Sequence, residues 1–503
     1  MKKKILFVDI ETDSQDINVA KVKFFGGYDD DTKKDYLLEW TDDNAIIVKG
    51  LILQYDYIAT FYGNNFDIPI LEKHGIMIPY WKRIDLYEVM KKRAVLIRSG
   101  GFKSYSLKNL MKEIGKPDLH KGQIDYNIFK RDNWTEEETK EIKKYLKTDL
   151  VLTCELWKYL IDKFDVFKEF IDPEDASKFK HITSSSGSYA YKVICHMLGL
   201  EEVYDDDKTH EKYVGAYIMK PTTEEISGTI AYLDFASLYP MMYVHANLFS
   251  SRCTCCSDEE RWHGNDMFEV EGYYCKKKQG RIETLLQTLY CKRKGYKRDG
   301  DKREFAIKII LNSIYGISSK RTFTNLYSAF GASDCTKLAR QCIKHAIKRF
   351  NNSGFDVIYG DTDSVFINLK TKSMDECISL AKDISKEISS SFPFSWSEFS
   401  LKFEDEIKYM KFFQDDDGNL KKKNYVYITK DKQMTIKGLD IIKKDCSDIS
   451  TKIFNLYLRD NIISNMRCGF DRNYITDLVN TEVKNNISII AKRFNIRDAE
   501  YMS

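Results

Sequence analysis

The chain has 503 residues, which is too long for one hydrophobic core, so we expect two to four domains. It is 43% hydrophobic and 31% charged with a net charge of +3, which is typical of a soluble globular protein. No run of eighteen apolar residues occurs, and Asp9 interrupts the first apolar run, which argues against a membrane span and a secretory signal. The twelve cysteines are therefore expected to be reduced thiols in a cytoplasmic protein.

The first predicted element is a strand that ends in two carboxylates. The apolar run Ile5 to Val8 leads into Asp9 and Glu11, and the period of two places both acids on one face. Asp67 follows in the segment 61–71. A predicted helix begins at Thr135, with Glu138 completing a capping box.

That helix carries Tyr145 and Asp149, which are four residues apart and hence on one face. Carboxylates are hard oxygen ligands, so such a group of acids can hold divalent cations.

Further along, an apolar strand ends at Asp234, and two predicted helices follow over 285–298 and 302–315, joined by a turn at 299–301. In the second helix Lys308, Asn312 and Tyr315 share one face, and Arg293 lies opposite Lys308 in this helical hairpin. Residues 276–321 contain 14 Lys and Arg against 4 Asp and Glu. Such an excess of positive charge favours an anion-binding surface.

A predicted β-hairpin presents two further acids. Strand-like runs at 355–358 and 365–369 flank Asp361 and Asp363 at the tip. Together with Asp234 they form a candidate site for two metal ions, which can activate a 3′-hydroxyl and stabilise a leaving pyrophosphate.

These motifs resemble a known family. DFASLYP at 234–240, KIILNSIYG at 308–316 and YGDTDS at 359–364 are similar, in this order, to the three polymerase motifs of family B DNA polymerases, here of the small phage or viral type. The amino-terminal acids and Tyr145 resemble a DEDDy 3′–5′ exonuclease. The resemblance covers about residues 5 to 440 and implies an α/β multidomain fold, in which an RNase H-like domain precedes a right-hand polymerase.

The resemblance also implies a domain order. Residues 1–185 would form the exonuclease domain, 186–283 and 323–410 the two parts of the palm, 284–322 the fingers, and 411–503 the thumb and carboxy-terminal region.

In the polymerase site the resemblance assigns Asp234 to both metals, the carbonyl of Phe235 as a further ligand, and Asp363 as the chief ligand of the hairpin with Asp361 in support. The incoming nucleotide would be held by residues of the strand end and of the fingers: Ser237, Leu238, Tyr239, Arg293, Lys308 and Asn312. Lys308 and Arg293 would bind the triphosphate, and Tyr239 would exclude a ribose 2′-hydroxyl.

In the exonuclease site the resemblance implies that Asp9, Glu11, Asp67 and Asp149 hold two Mg²⁺ and that Tyr145 orients the attacking water. Lys121 resembles a lysine of the phage protein-primed branch that steadies the scissile phosphate. Residues expected to contact the frayed primer strand are Thr12, Phe66, Ser106 and Leu107. Asn64 departs from the family pattern, because only one residue separates it from Phe66.

DNA contacts are also implied in the carboxy-terminal two-thirds. One such motif resembles a linker of the family that binds single-stranded template, and it comprises Tyr213, Gly215 and Ala216. Lys423 and Tyr425 resemble a strand that touches the primer terminus, followed by the turn Lys437–Gly438. Tyr315 is the further expected DNA contact.

A group of cysteines stands apart from these motifs. Cys253, Cys255, Cys256 and Cys275, with His263, could bind zinc, but their spacing lacks the paired C-x₂-C units of structural zinc sites. Reduced thiols are therefore the expectation, with zinc as the alternative.

The interpretation is a DNA-dependent DNA polymerase with proofreading, using two Mg²⁺ in each site, with Mn²⁺ as an alternative ion. Its partners would be primer–template DNA and dNTPs, with replication accessory proteins as further candidates and no membrane. One alternative is protein priming, but spacings of 74 positions from Asp234 to Lys308 and 53 from Lys308 to Asp361 leave little room for that branch's insertions. The other is a DNA-binding relic without chemistry, against which the complete set of carboxylates argues.

Overall fold

The computed structural model describes residues 3–98, 101–102, 104–119, 124–207, 213–397, 399–415 and 417–439, together with 449–450, 454, 463, 476–477 and 479–481. The chain divides into two compact units, Met1–Tyr189 and Ala190–Ser503. Among the described residues, no helix combines the length and the hydropathy that crossing a bilayer requires.

Five strands form one mixed sheet in the amino-terminal unit: β1 (Ile5–Thr12), β2 (Val22–Asp29), β3 (Lys34–Glu39), β4 (Tyr57–Thr60) and β5 (Arg83–Asp85). Their order is β3-β2-β1-β4-β5, with β1 antiparallel to β2 and parallel to β4. The helices are α1 (Asp42–Leu53), α2 (Asp67–Lys73), α3 (Leu86–Ile97), α4 (Leu107–Glu113), α5 (Glu136–Phe164), α6 (Pro173–Ser177), α7 (Lys180–Thr183) and α8 (Ser186–Leu198), the last of which crosses the unit boundary.

Strand β1 is buried on both faces, which explains its nearly continuous apolar sequence. Leu6, Val8 and Ile10 face a core that also contains side chains of α1. The alternate residues of β1 face helix α5, which packs across β1 and β2. Helix α5 begins with the predicted capping box of Thr135 and Glu138, which is confirmed.

Eight strands belong to the second unit: β6 (Glu225–Phe235), β7 (Arg261–Gly264), β8 (Glu269–Cys275), β9 (Asp356–Asp361), β10 (Ser364–Asn368), β11 (Leu401–Gln414), β12 (Leu420–Thr429) and β13 (Met434–Lys437). Six form an antiparallel sheet of order β13-β12-β11-β6-β10-β9, and β7 pairs with β8. The helices are α9 (Leu238–Ala246), α10 (Arg281–Arg298), α11 (Arg303–Ser318), α12 (Ala329–Asn352) and α13 (Met374–Ser390).

Two predicted supersecondary elements are confirmed. The β-hairpin is formed by β9 and β10, and the helical hairpin by α10 and α11, which pack against each other. Helices α12 and α13 pack against the six-stranded sheet. The proposed five-part domain division stays a prediction, and most of the expected thumb after residue 439 lies outside the described residues.

Candidate active sites

Three of the four predicted exonuclease acids meet between β1 and α5. Carboxylate oxygens of Asp9, Glu11 and Asp149 lie within 4.8 Å of one another. Glu11 and Asp149 are buried, and placing several carboxylates together away from water is costly unless a cation offsets their repulsion. The arrangement therefore fits a divalent metal ion.

The approach of α5 to the sheet depends on Gly26 of β2. Gly26 pairs with Asp9 in the β1–β2 register. A Cβ at position 26 would lie 2.7 Å from Cγ of Leu146 and 2.9 Å from Cδ1 of Leu150, both on α5. Glycine at this position leaves room for the side chains of Leu146 and Leu150, and the close packing of α5 accompanies the approach of Asp149 to the acids of β1.

Asp67, the fourth acid, lies beside this group at the start of α2. Its Oδ1 accepts a hydrogen bond from the backbone N–H of Ile10 at 3.0 Å, and its carboxyl group is hydrogen-bonded to Asp9. Burial raises the pKa of Asp67 to about 7, against the lowering effect of these hydrogen bonds. Asp67 thus contacts the acidic group through Asp9.

Tyr145 has a partner that the sequence analysis missed. Its hydroxyl lies 2.7 Å from the hydroxyl of Tyr126, and the two rings meet edge to face. Tyr126 lies five positions after Lys121, the lysine expected to steady the scissile phosphate. Its contact with Tyr145 is a tertiary contact, so no local sequence pattern predicts it. Lys121 itself lies outside the described residues.

The residues expected to contact the frayed primer have local structural partners. The hydroxyl of Thr12 donates to the carbonyl of Ser14 at 2.7 Å, and Ser106 caps α4. Leu107 is buried, and Phe66 packs against the core of this unit. The amide of Asn64 donates to Glu88 at 2.9 Å. The contacts of Thr12, Ser106, Leu107 and Phe66 with DNA stay predictions.

In the second unit, strand β6 brings Asp234 beside the hairpin tip. Asp234 is paired with Ser364 of β10 on one side and with Lys402 of β11 on the other. The backbone N–H of Phe235 donates to the carbonyl of Asp363 at 2.8 Å, which joins the end of β6 to the tip.

The acids at this point repel one another. Burial first, and then the charges of Asp363 and Glu404, raise the pKa of Asp234 to about 8. Burial likewise raises the pKa of Asp363. A site in which carboxylates are held close together at such cost fits a divalent cation.

The hairpin tip itself is a strained turn. Thr362 has φ of +63°, and its N–H donates to the carbonyl of Tyr217 at 2.9 Å. The N–H of Asp363 donates to the carbonyl of Asp361 at 2.7 Å. Asp361 in turn lies 3.0 Å from the ammonium group of Lys423. The two hairpin acids therefore occupy different electrostatic environments.

A polar cavity of about 380 Å³ opens from Asp234 toward the helical hairpin. Acids line one part of it and bases another: Asp234, Glu404, Lys402, Arg293, Lys294, Lys297 and Lys308. Glu404, Lys402, Lys294 and Lys297 were not predicted from the sequence to line this site. Lys294 and Lys297 lie on the same helix as Arg293, with Lys297 four positions after it, whereas Glu404 and Lys402 reach the site only through the β6–β11 pairing.

Arg293 links three elements at this cavity. Its Nε donates to Glu304 of α11 at 2.7 Å and a terminal nitrogen donates to the hydroxyl of Ser237 at 3.2 Å. Lys308 and Asn312 are exposed on α11, while the opposite face of that helix is buried. The predicted common face of Lys308, Asn312 and Tyr315 is consistent with this burial pattern.

Tyr239 lies against Tyr315, with ring centroids 5.3 Å apart and an interplanar angle of 69°. Burial raises the pKa of Tyr239 to about 12. The preceding residue, Leu238, lies at the start of α9 with its side chain buried at 2% exposure, and its expected contact with the nucleotide stays a prediction.

The segment 213–219 runs beside the hairpin. The guanidinium of Arg340 donates to the carbonyls of Val214 and Gly215, and the N–H of Met219 donates to the carbonyl of Gly360 at 2.8 Å. Tyr213 and Ala216 are half-buried. Arg340, on α12, was missed because it reaches this segment from a distant part of the chain.

Strand β12 carries Lys423 and Tyr425, whose expected contacts with the primer stay predictions. Tyr425 is 4% exposed and its ring packs 5.4 Å from that of Tyr359 and 5.5 Å from that of Phe412. Its ring therefore packs in a hydrophobic cluster of the six-stranded sheet. Gly438, at φ of +69°, lies so close that a Cβ would come within 2.1 Å of the carbonyl oxygen of Lys423, so the expected Lys437–Gly438 turn adjoins Lys423.

Comparisons with known proteins agree with this geometry. A model of the family described as DNA polymerase family B matches residues 168–500, and a model of the RNase_H superfamily matches residues 6–161. A DNA polymerase delta catalytic subunit of Plasmodium falciparum is 25% identical over 83% of the chain and 40% of its own length. A DNA polymerase of Paramecium bursaria Chlorella virus NY2A is 26% identical over 84% of the chain and 48% of its own length.

The chain thus spans less than half the length of these two relatives. Among solved structures, the family B DNA polymerase from the archaeon Pyrobaculum calidifontis matches 96% of the chain and 65% of its own, with a TM-score of 0.56 and 17% identity. This likeness supports the mixed α/β fold with an RNase H-like part preceding a polymerase part.

Proposed function

The chain belongs to DNA polymerase family B, and on this premise we propose that it is a DNA-dependent DNA polymerase with 3′–5′ exonuclease activity. The observation that carries the proposal is the pairing of Asp234 with the tip of the β9–β10 hairpin beside a cavity rich in Lys and Arg. Carboxylates beside a basic cavity suit a nucleoside triphosphate, because the acids can hold metal ions while the bases contact phosphate oxygens. The substrates are then dNTPs and primer–template DNA.

Domains of this family generally use divalent metals, and we assign two Mg²⁺ ions to each site. In the polymerase site Asp234, Asp363 and the carbonyl of Phe235 would hold them, with Glu404 nearby. The mutual repulsion that raises the pKa of Asp234 to about 8 supports this assignment, because a cation would relieve it. Bound there, the ions would activate the 3′-hydroxyl and neutralise charge on the leaving pyrophosphate.

The residues around the cavity have distinct tasks in this proposal. Arg293 and Lys308 bind the triphosphate. Hydrogen bonds to Glu304 and Ser237 orient the planar guanidinium group of Arg293. Lys294 and Lys297 add positive charge to the same cavity. Tyr239, supported by Tyr315, lies beneath the sugar and limits the space at its 2′ position.

In the amino-terminal unit, Asp9, Glu11 and Asp149 would bind the metal ions of the exonuclease, with Asp67 supporting Asp9. Tyr145 would orient the attacking water, its hydroxyl being fixed by that of Tyr126. The two groups of acids belong to separate units of the chain. We therefore expect two activities that can be removed separately.

The test is extension of an oligonucleotide primer on a DNA template by the purified full chain, with and without dNTPs. Wild type should extend the primer when dNTPs are present and degrade it when they are absent. Asp363→Ala should lose extension and keep degradation, while Asp356→Ala, on the same hairpin but paired with Lys370, should keep both. Extension by Asp363→Ala within tenfold of wild type would overturn the assignment.

A further inference from the structure

The structure brings together four cysteines outside both sites. The sulfur atoms of Cys253, Cys255, Cys256 and Cys275 all lie within 4.8 Å of one another. The shortest separations are 3.3 Å, between Cys253 and Cys256 and between Cys255 and Cys275. His263, which the sequence analysis considered with them, is not part of this group, and its ring packs against that of Tyr273.

These separations match a bound metal ion better than disulfides. A disulfide needs sulfur atoms about 2 Å apart, and all four cysteines are free thiols. Four thiolates at about 2.3 Å from a tetrahedral zinc ion are about 3.8 Å from one another. The observed separations, from 3.3 Å to at most 4.8 Å, bracket that value.

We propose that Cys253, Cys255, Cys256 and Cys275 form a structural zinc site in the second unit of the chain. Four soft thiolates this close to one another are a ligand set that suits Zn²⁺. With all four positions taken by protein ligands, no position is left for water or substrate, so the site is structural and not catalytic. The proposal does not depend on polymerase activity.

Hydrogen bonds hold the backbone of one proposed ligand, Cys275, in place. Cys275 ends β8, and its N–H donates to the hydroxyl of Ser250 while its carbonyl accepts from the amide of Asn247, both at 2.8 Å. Strand β8 is further fixed by the buried Asp334 of α12, which accepts from the N–H groups of Glu271 and Gly272 at 2.8 Å. A preorganised ligand lowers the entropy cost of metal binding.

The other three ligands lie in the segment 253–256, which contributes no large apolar side chain to a core. Its backbone is held by Arg261 of β7, whose guanidinium donates to the carbonyls of Ser251 and Cys253, each at 2.5 Å. Arg261 is itself paired with Cys275 in the β7–β8 register. A segment with so little apolar burial is the kind that a metal ion stabilises.

The surroundings also suit the charge of the site. Zinc bound by four thiolates carries a net charge of −2, and Lys276, Lys277 and Lys278 follow directly after Cys275. The N–H of Lys278 donates to the sulfur of Cys275 at 3.4 Å, a contact that stabilises a thiolate and orients a metal ligand. Basic side chains and a backbone donor thus favour the metal-bound form.

The cysteine site lies close in the sequence to helix α10. Five residues lie between Cys275 and Arg281, the first residue of α10, and this helix carries three bases of the nucleotide cavity, Arg293, Lys294 and Lys297. A zinc ion would tie the segment 253–256 to the strand that leads into this helix. We therefore expect metal loss to lower the thermal stability of the chain.

The test measures the metal in the full-length protein. Protein expressed with zinc and then dialysed against buffer with excess Mg²⁺, which displaces zinc from carboxylates, should retain one zinc per chain by mass spectrometry of the metal. Cys253→Ser and Cys256→Ser should each lose it. Cys291→Ser, at an exposed cysteine of α10 outside the group, is the matched control and should retain it.

A second measurement does not depend on the variants folding. Wild-type protein reconstituted with Co²⁺ should show the strong visible bands of a tetrahedral ion together with thiolate-to-cobalt charge-transfer absorption. Absence of these bands, zinc retention by the Cys253 and Cys256 variants, or acid-labile sulfide from an iron–sulfur cluster would each overturn the proposal. So would disulfides between these cysteines in the mass of the unreduced protein.

Discussion

The ammonium nitrogen of Lys423 lies 3.0 Å from Oδ1 of Asp361, whereas the charge of Asp363 acts on Asp234. The two acids of the hairpin tip are therefore not equivalent. Lys423 forms its ion pair with Asp361 and reaches Asp363 only through its charge, while Asp363 adds to the repulsion that raises the pKa of Asp234. This asymmetry favours Asp363 as the metal ligand and Asp361 as a residue that positions Lys423.

The first prediction follows from this asymmetry. Asp363→Ala should lower the rate of primer extension by at least about a thousandfold, which is about 4 kcal/mol of transition-state stabilisation. Asp361→Ala should cost roughly tenfold, because it removes a partner of Lys423 and no metal ligand. Single-turnover extension with saturating dNTP measures both effects. Equal losses would contradict the assignment, and unchanged exonuclease activity in both variants serves as the folding control.

A second prediction concerns Gly26 and the exonuclease. Gly26→Ala places a Cβ 2.7 Å from Cγ of Leu146, so the side chain of Leu146 or α5 itself must shift, and a shift of α5 carries Asp149 away from Asp9. We expect digestion of single-stranded DNA to fall by roughly a hundredfold, since small displacements of catalytic groups have effects of this size. Primer extension should be unaffected.

The matched control for Gly26→Ala is the double variant with Leu146→Ala, which removes the atoms that the new Cβ meets. Exonuclease activity should recover at least in part in the double variant, although Leu146→Ala alone costs stability through a cavity. A double variant as inactive as Gly26→Ala would mean that spacing between α5 and the sheet does not control the site.

Structural features formed by residues close together in the sequence were predicted, whereas contacts between residues distant in the sequence were not. The capping box of α5, the β9–β10 hairpin and the helical hairpin are local patterns, and all three were predicted. Glu404, Arg340 and Tyr126 reach the sites through strand pairing or tertiary packing, and their residue types carry no local signal. The sequence positions of these three residues therefore do not predict that they lie at the sites.

The motifs themselves do not predict how deeply their residues are buried. Tyr425 lies in a motif compared with a DNA-contacting strand, but alternation in β12 and the cluster with Tyr359 turn its ring inward. Leu238 sits in the motif that follows Asp234, yet its side chain faces the core. For the cysteines, sequence spacing argued against a metal site, while the loop between Ser250 and β7 brings the thiols together in space.

A third prediction concerns the pH dependence of stability without metal. The pKa of Asp234 rises from the ordinary aspartate value of 3.8 to about 8 in the folded protein, so the folded state binds this proton more tightly than the unfolded chain does. The free energy of unfolding therefore falls as the pH rises from about 4 to about 8, because the folded state increasingly carries a buried, repelled charge.

Asp234→Asn removes this charge, so its melting temperature in EDTA should exceed that of wild type by a few degrees at pH 8, roughly 2–4 °C per kcal/mol. The difference should shrink toward pH 5, where Asp234 is protonated in the folded state. Asp356→Asn is the control, and its melting curve should follow wild type across this range. Parallel profiles for wild type and Asp234→Asn would contradict the raised pKa.

The final prediction concerns selection of the sugar. The ring of Tyr239 is held by Tyr315 at a centroid distance of 5.3 Å, so it is positioned to exclude a 2′-hydroxyl by volume. Tyr239→Ala should raise the ratio of kcat/KM for ribonucleotides to that for deoxynucleotides by at least about a hundredfold, which is about 2.7 kcal/mol. Tyr239→Phe keeps the ring and should keep the selectivity.

The variant Tyr315→Ala tests whether Tyr315 acts by holding the ring of Tyr239, which itself excludes the 2′-hydroxyl. Without its partner the ring of Tyr239 remains present but is less well held, so sugar selectivity should fall by a smaller factor, roughly tenfold. The ratio of the two kcat/KM values is decisive, because a general disturbance of the site depresses incorporation of both sugars alike. An unchanged ratio in Tyr239→Ala would mean that another side chain excludes the 2′-hydroxyl and that the nucleotide does not lie over Tyr239.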